Sequence, residues 1–291
     1  MRRVGYRYQR TLARPAEVVG TGIVTGKPVR LRLLPADADA GLTFRRTDLP
    51  NAAIIPARSS SVSDTRRRTT LGPAAAGVTL VEHELSALAG CRIDNCLVEL
   101  DAPEPPGLDG SAQGFVRAIL EAGAKLQTRR RPIYTVAEPL TVRRDGATIR
   151  VEPHAHELRI SYILDYGPTA PVPRASVTLS ATPEVYVREL APCRTFVLEA
   201  EVAALRAQGV GRHLTARDLL VFGPRGLIDN RLRFADEPAR HKILDLVGDL
   251  ALCGFDLTGH LVAYRSGHAL NVELAQRLAE RVAAGLPRMA A

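Results

Sequence analysis

His241 and Asp245 stand four residues apart within Glu237–Leu252, a stretch of strong helical periodicity. At that spacing two side chains leave one helix face about one turn apart, which suits two ligands of a single divalent ion. Imidazole with carboxylate favours zinc or another borderline metal over calcium. A second histidine, His83, follows Glu82 where a helical pattern begins at Thr79, with Val81, Leu85, Leu88 and Ala89 on one side and Gly90 as its stop. The helix dipole favours acids such as Glu82 and Glu84 in a first turn, but it does not account for His83. These polar groups are expected to face a cleft or solvent rather than the core.

An internal repeat brings the two histidines into relation. One copy runs from His83 through Leu88-Ala89-Gly90 and a strand to Gly110-Ser111-Ala112 and a helix. The other runs from His241 through Leu252-Cys253-Gly254 and Leu261–Tyr264 to Gly267-His268-Ala269 and a helix. The parallel order of helix, Gly, strand, Gly-X-Ala and helix predicts two similar α+β halves that meet face to face and contribute helix starts to a shared cleft. His83, His241 and Asp245 then form a three-ligand site with an open fourth position, the pattern of catalytic rather than structural zinc. Such an ion lowers the pKa of bound water to about 7. Glu82, next to a ligand, is placed as general base. His268 is expected on an exposed loop after a strand, with Asp249 holding its imidazolium charged so that it can stabilise an oxyanion or protonate a leaving amine.

The rest of the chain must position these groups. Its 291 residues are 46% apolar and 24% charged, ordinary for a globular protein with a substantial core and against disorder. No run of 18 uncharged apolar residues is present, and the basic start Met1-Arg2-Arg3 lacks a long apolar stretch, so a cytoplasmic protein is expected. Cys91, Cys96, Cys193 and Cys253 have neither CxxC spacing nor disulfide density and read as buried thiols. The net charge of +8 suits an anionic partner, although an Arg- and Ala-rich composition produces the same balance unaided. With 4% aromatic residues and no Trp, a stacking platform for nucleic acid is not expected. His154, His156, His213 and His260 receive no role.

Period-two patterns predict strands at 28–33, 41–46, 96–100, 140–142, 148–151, 158–164 and 175–179. The first half is expected over 1–126, with a small insert at about 51–77, and the second over 134–291, with an insert at about 195–225. The polar, basic segment 127–133, which contains Arg129-Arg130-Arg131 and ends near Pro132, reads as a linker. Arg66-Arg67-Arg68 reads as a loop.

Taken together, Gln9-Arg10-Thr11-Leu12, Phe44–Leu49, Thr79-Leu80-Val81-Glu82-His83, Ile93-Asp94-Asn95, Asp109-Gly110-Ser111-Ala112, Arg194-Thr195-Phe196, His241–Leu250 and Ser266–Asn271 resemble the UDP-3-O-acyl-N-acetylglucosamine deacetylase family of lipid A biosynthesis. The likeness runs in order from about residue 9 to 280, and its most specific part is His-Lys-x-x-Asp-x-x-Gly-Asp with Val-Glu-His upstream. The resemblance implies an α+β protein of two halves, each a mainly antiparallel sheet with two helices, the helices sandwiched between the sheets. It implies a cytoplasmic zinc amidase that removes acetate from the 2-amino group of a UDP-linked, 3-O-acylated glucosamine. By the same resemblance His83, His241 and Asp245 are the zinc ligands and Glu82 is the base. His268, supported by Asp249, is the cation that helps the intermediate collapse. Thr195 supplies the oxyanion hydroxyl, and Phe196 and Lys242 contact the sugar nucleotide.

Two segments depart from the family pattern. Gly20–Gly26 carries Val24 where the family has His, and Gly209–Asp218 replaces a Gly-Gly-Ser-Leu-x-Asn-Ala stretch beside the acyl passage. A zinc deacetylase of a different acylated amino sugar or nucleotide sugar is therefore the alternative, and a non-catalytic basic binding module is a third reading. A monomer that makes transient contact with a membrane surface completes the expectations.

Overall fold

The computed structural model describes residues 1–154, 156–216 and 218–285; Ala155, Arg217 and the expected end of the second half, 286–291, lie outside the described residues. In chain order the first part contains β1 (Arg2–Leu12), β2 (Ala16–Thr21), β3 (Pro28–Pro35), β4 (Leu42–Arg46), β5 (Ile55–Pro56), β6 (Val62–Asp64), β7 (Thr70–Leu71), β8 (Val78–Thr79), α1 (Glu82–Gly90), β9 (Cys96–Leu100), α2 (Gln113–Ala122) and β10 (Ala124–Thr135). The remainder contains β11 (Leu140–Arg144), β12 (Ala147–Glu152), β13 (Leu158–Leu164), β14 (Ala175–Ser180), α3 (Pro183–Val185) running into a π-turn, β15 (Phe196–Leu198), α4 (Glu199–Ala207), β16 (Leu220–Gly223), β17 (Gly226–Leu227), α5 (Glu237–Ala251), β18 (Asp256–Tyr264) and α6 (His268–Ala284).

The internal repeat is visible in the sheets. One has the order β2-β3-β9-β4-β5, and the core of the other runs β11-β12-β18-β13-β14. The directions match strand for strand. β9 is antiparallel to β3 and parallel to β4, as β18 is antiparallel to β12 and parallel to β13. Each copy thus reads four strands, helix, strand, helix. The repeat extends to the backbone, because Leu108 and Arg265, each four residues before the Ala of Gly-X-Ala, share a left-handed φ of 52°.

Burial follows the sequence pattern. In β3 Val29, Leu31 and Leu33 are buried while Arg30 and Arg32 face outward, the alternation of a half-buried strand. Helices α1, α2, α5 and α6 fill the space between the sheets. α2 lies on β2, α6 on β11 and β12, and α5 on β13 and β14, while α1 packs along α5 in the middle. α5 is buried on nearly all sides, as its central place requires. Gly248 allows α1 and α5 to approach at the level of the site: a Cβ there would stand 2.1 Å from the carbonyl oxygen of Glu82. The inserts add small sheets, β6-β7-β8 in the first part and β15-β16-β17 in the second.

The expected linker is a strand. Residues 127–133 lie inside β10, which pairs antiparallel with β1 along its length and parallel with β18 at Ile133–Thr135. β1 therefore joins the second sheet although it opens the chain, and the sheet pairing does not follow a boundary at 126. The charge run misleads because its partners are remote in sequence. Arg129 pairs with Asp39 at 2.6 Å, and Arg131 pairs with Asp256 at 2.6 Å. Arg7 bridges Asp94 at 2.7 Å and Asp256 at 2.5 Å. Burial raises the Asp256 carboxyl, but hydrogen bonds and charge from Arg7 and Arg131 outweigh it and hold the group below its usual range. All four cysteines are free, with Cys91 half-buried and the others buried. Among the described residues no helix is long and apolar enough to cross a membrane.

Overpacking a close contact costs about 1–3 kcal/mol, and here the opposing atom is backbone that cannot rotate away. Gly248→Ala is expected to destabilise the protein by about 3 kcal/mol or more. A denaturant midpoint equal to that of the unaltered protein would refute this account of the α1–α5 contact.

Candidate metal centre

The site forms where the N-terminal turn of α1 meets α5. Leu80, with a left-handed φ of 59°, turns the chain into α1 and aims Glu82 and His83 at α5. On α5, His241 and Asp245 share a face, as their spacing requires. His83, His241 and Asp245 each present one ligand atom, all within 4.8 Å of one another. The Nε2 atoms of His83 and His241 lie 3.6 and 3.3 Å from Asp245 Oδ1. The two rings stand nearly perpendicular, with centroids 5.0 Å apart.

The donor chemistry fits a metal ion. Asp245 Oδ1 is buried without a hydrogen-bond partner, a costly state that a cation between the three groups would relieve. The other oxygen, Oδ2, accepts a hydrogen bond from Lys242 Nζ at 2.9 Å. His241 Nδ1 lies 3.0 Å from the Cys193 carbonyl, so it donates there and Nε2 is left as an acceptor toward the site. Burial pushes the His241 pKa down to about 4, which keeps the ring neutral and able to ligate. Burial opposes ionisation of Asp245, but His241 and Lys242 beside it hold the carboxyl well below its usual range.

Next to this triad stand two further buried titratable groups, Glu82 and His268. Glu82 is buried, which raises its pKa, and the nearby His268 partly offsets that rise. Its Oε2 accepts from the Thr69 backbone N–H at 3.0 Å, and its Oε1 lies 3.8 Å from His268 Nε2. His268 is the first residue of α6 and is buried, not exposed on a loop as expected. The helix begins three residues after a left-handed Arg265, and the Tyr162 hydroxyl donates to the Ser266 carbonyl, so the segment is turned inward and held. His268 Nδ1 donates to Asp249 Oδ2 at 2.9 Å. Burial works against the imidazolium, yet the carboxylates of Asp249 and Glu82 push the His268 pKa up to about 9. Glu84, two residues on, is fully buried with neither oxygen partnered, and burial beside Glu82 raises its carboxyl well above the usual range.

The remaining expected residues share the same cleft, which encloses about 880 Å³. The Lys242 ammonium lies 5.6 Å from the centroid of Phe196, whose ring also meets Tyr166 and Phe222 edge to face. Thr195 is anchored by its N–H to the Gly110 carbonyl at 2.8 Å. The buried Arg194–Glu237 ion pair, 2.8 Å long, ties this segment to the first turn of α5. The second insert supplies apolar wall through Val197, Val202, Leu205, Leu214 and Val221. Of the departing segments, Val24 lines the cleft and Glu104 accepts from the N–H groups of Val24 and Thr25 at 2.8 and 2.6 Å. Val210, Gly211 and Leu214 carry the other segment into the apolar end.

Several groups at the site were assigned no role from the sequence. Thr69 Oγ1 donates to Asp249 Oδ1 at 2.6 Å while its N–H serves Glu82, so one residue of the first insert links both carboxylates. Asn271 Nδ2 donates to Asp249 Oδ2 at 2.9 Å, and Ser266 Oγ donates to Asn271 Oδ1 at 2.6 Å. Thr69 sits beside an arginine run and outside any periodic pattern, and only its spatial neighbours reveal it. Asn271 falls within the Ser266–Asn271 motif, where its place four residues into a repeat element was the available signal.

Comparison with known proteins identifies the family. The profile of the family described as UDP-3-O-acyl N-acetylglycosamine deacetylase matches residues 9–280. A Nostoc sp. protein named UDP-3-O-acyl-N-acetylglucosamine deacetylase is 41% identical over 274 residues, covering 93% of this chain and 98% of its own. Proteins of the same name are 40% identical in Geobacter sp., covering 94% of this chain and 90% of their own, and 41% identical in Thermosynechococcus vestitus, covering 94% of both.

The Asp249–His268 contact makes a testable pH dependence. The folded pKa of about 9 lies above the ordinary 6.5. Stability from this pair is therefore full below about 6.5 and is lost as pH rises through about 9. In the metal-free protein an NMR titration of the His268 ring is expected to give a midpoint near 9 that drops by at least a unit in Asp249→Asn. A midpoint that ignores the substitution would remove Asp249 as the cause.

Proposed function

The chain belongs to the UDP-3-O-acyl N-acetylglycosamine deacetylase family, and on that premise we propose that it removes acetate from the 2-acetamido group of UDP-3-O-acyl-N-acetylglucosamine, in lipid A biosynthesis. The observation that carries this reading is the convergence of two histidine Nε2 atoms on an unpartnered buried carboxylate oxygen, beside a buried glutamate and a charged histidine. His83, His241 and Asp245 would hold a zinc ion, which when bound supplies carbonyl polarisation and a more acidic water.

The protein groups divide the proton traffic. Glu82, held by the Thr69 N–H, accepts the proton of the attacking water. His268, kept charged by Asp249, stabilises negative charge developing on the carbonyl oxygen and returns a proton to the leaving nitrogen. The Thr195 hydroxyl donates to that oxygen. Lys242 and Phe196 hold the sugar nucleotide through charge and ring contact, and the apolar wall of the second insert takes the 3-O-acyl chain. That wall includes Val210, Gly211 and Leu214 of the departing segment, which supports an alternative acylated amino sugar or nucleotide sugar as substrate. The assay that separates the two compares acetate release from acylated and non-acylated UDP-N-acetylglucosamine; equal rates would exclude an acyl passage.

Glu82→Ala is expected to keep one zinc per chain and lose about 10²–10⁴-fold in turnover, the usual worth of a positioned base. His241→Ala is expected to lose the zinc itself, read by metal analysis after dialysis. Treatment with a chelator should abolish acetate release, and added zinc should restore it. Activity should rise with pH as Glu82 deprotonates and fall as His268 loses its proton near pH 9. A flat profile from pH 5 to about 10 would contradict the paired roles.

A further inference from the structure

Arg68 lies in the connection between β6 and β7 and lines the cleft with Glu82, His83 and His268. Its Nε is buried and has no acceptor among the described residues. A desolvated donor of this kind normally has a partner, and its absence points to one that the chain itself does not supply. The other cations around the cleft are engaged. Arg67 pairs with Glu201 at 2.7 Å, Lys242 with Asp245 at 2.9 Å and Arg144 with Glu273 at 2.9 Å. Arg265 lies over the Tyr264 ring at the end of β18.

The position of Arg68 indicates which anion it meets. The next residue, Thr69, donates its N–H to Glu82 Oε2 at 3.0 Å, so Arg68 stands one residue along the chain from the contact that holds the base, and it lines the same cleft as Glu82. In the hydrolysis proposed above, the water oxygen bonds to the carbonyl carbon and the C–N bond breaks with its electron pair on nitrogen. The nitrogen takes both protons of the water, leaving acetate and an ammonium. The new carboxylate arises among Glu82, Asp245 and Asp249, all negative or able to become so. A guanidinium fork matches a carboxylate with two parallel hydrogen bonds and relieves that repulsion. We propose that Arg68 forms a subsite for the carboxylate that the reaction releases, distinct from the contacts that hold the nucleotide. This inference rests on the amide-hydrolase reading of the same cleft.

The test measures acetate and UDP binding to the zinc-loaded protein by saturation-transfer NMR, with inhibition constants alongside. Arg68→Ala is expected to weaken acetate about tenfold or more while UDP stays within about twofold, the scale of one charge-assisted contact. Arg68→Lys should recover part of the loss, since it restores the charge without the fork. If acetate affinity is unchanged in Arg68→Ala, or if the loss falls on UDP instead, the proposal is wrong. Should the alanine variant fail to fold, Arg68→Gln against Arg68→Lys gives the same comparison, with acetate weaker in the former. Acetate binding requires no turnover, so a protein that binds acetate through Arg68 but releases none from the UDP-sugar counts against the assigned substrate and leaves this subsite standing.

Discussion

The molecule is organised around one close contact, the backbone of α1 at Glu82 resting against α5 at Gly248. Any side chain at 248 would wedge the helices apart. The separation matters because His83 and Glu82 ride on one helix while His241, Asp245 and Asp249 ride on the other. Ligand atoms within 4.8 Å of each other cannot tolerate a displacement of even an ångström or two. The two equivalent sheets act as outer plates that clamp this pair, and their shared strand order explains why two copies of one unit can present helix starts to a common space.

Close packing creates an electrostatic problem. Glu82, Glu84, Asp245 and Asp249 are all buried within a small volume. An isolated buried carboxylate is too costly to persist, so each must be neutralised or partnered. The solutions differ. Asp249 receives Thr69, Asn271 and His268. Asp245 receives Lys242 on one oxygen and faces two imidazoles on the other. Glu82 keeps a raised pKa with a single backbone donor, and burial pushes Glu84, whose oxygens have no partner, well above the usual carboxylate range. The four carboxyls thus meet the same cost of burial with different sets of donors.

The reactive residue types, their order and their helical spacing were legible in the chain. His241 and Asp245 share a face because helical geometry is local, and the alternation in β3 announces a half-buried strand for the same reason. The repeat from His83 to Ala112 and from His241 to Ala269 foretold two equivalent halves, because duplicated order survives in sequence. These readings need only neighbours within a few residues or a comparison of the chain with itself.

Tertiary structure decided the rest. Arg131 looked like part of a solvated linker because nothing near it in sequence is acidic, and only the fold brings Asp94 and Asp256 to it. His268 looked exposed because it follows Gly267 after a strand, but α6 begins at that residue and Asp249 draws the ring inward. Thr69 gave no sign at all, since its value lies in meeting Asp249, 180 residues away, and Glu82 at once. Local periodicity encodes which face a side chain takes. It carries no record of which distant group will be waiting on that face, and burial, partnership and charge state are set there.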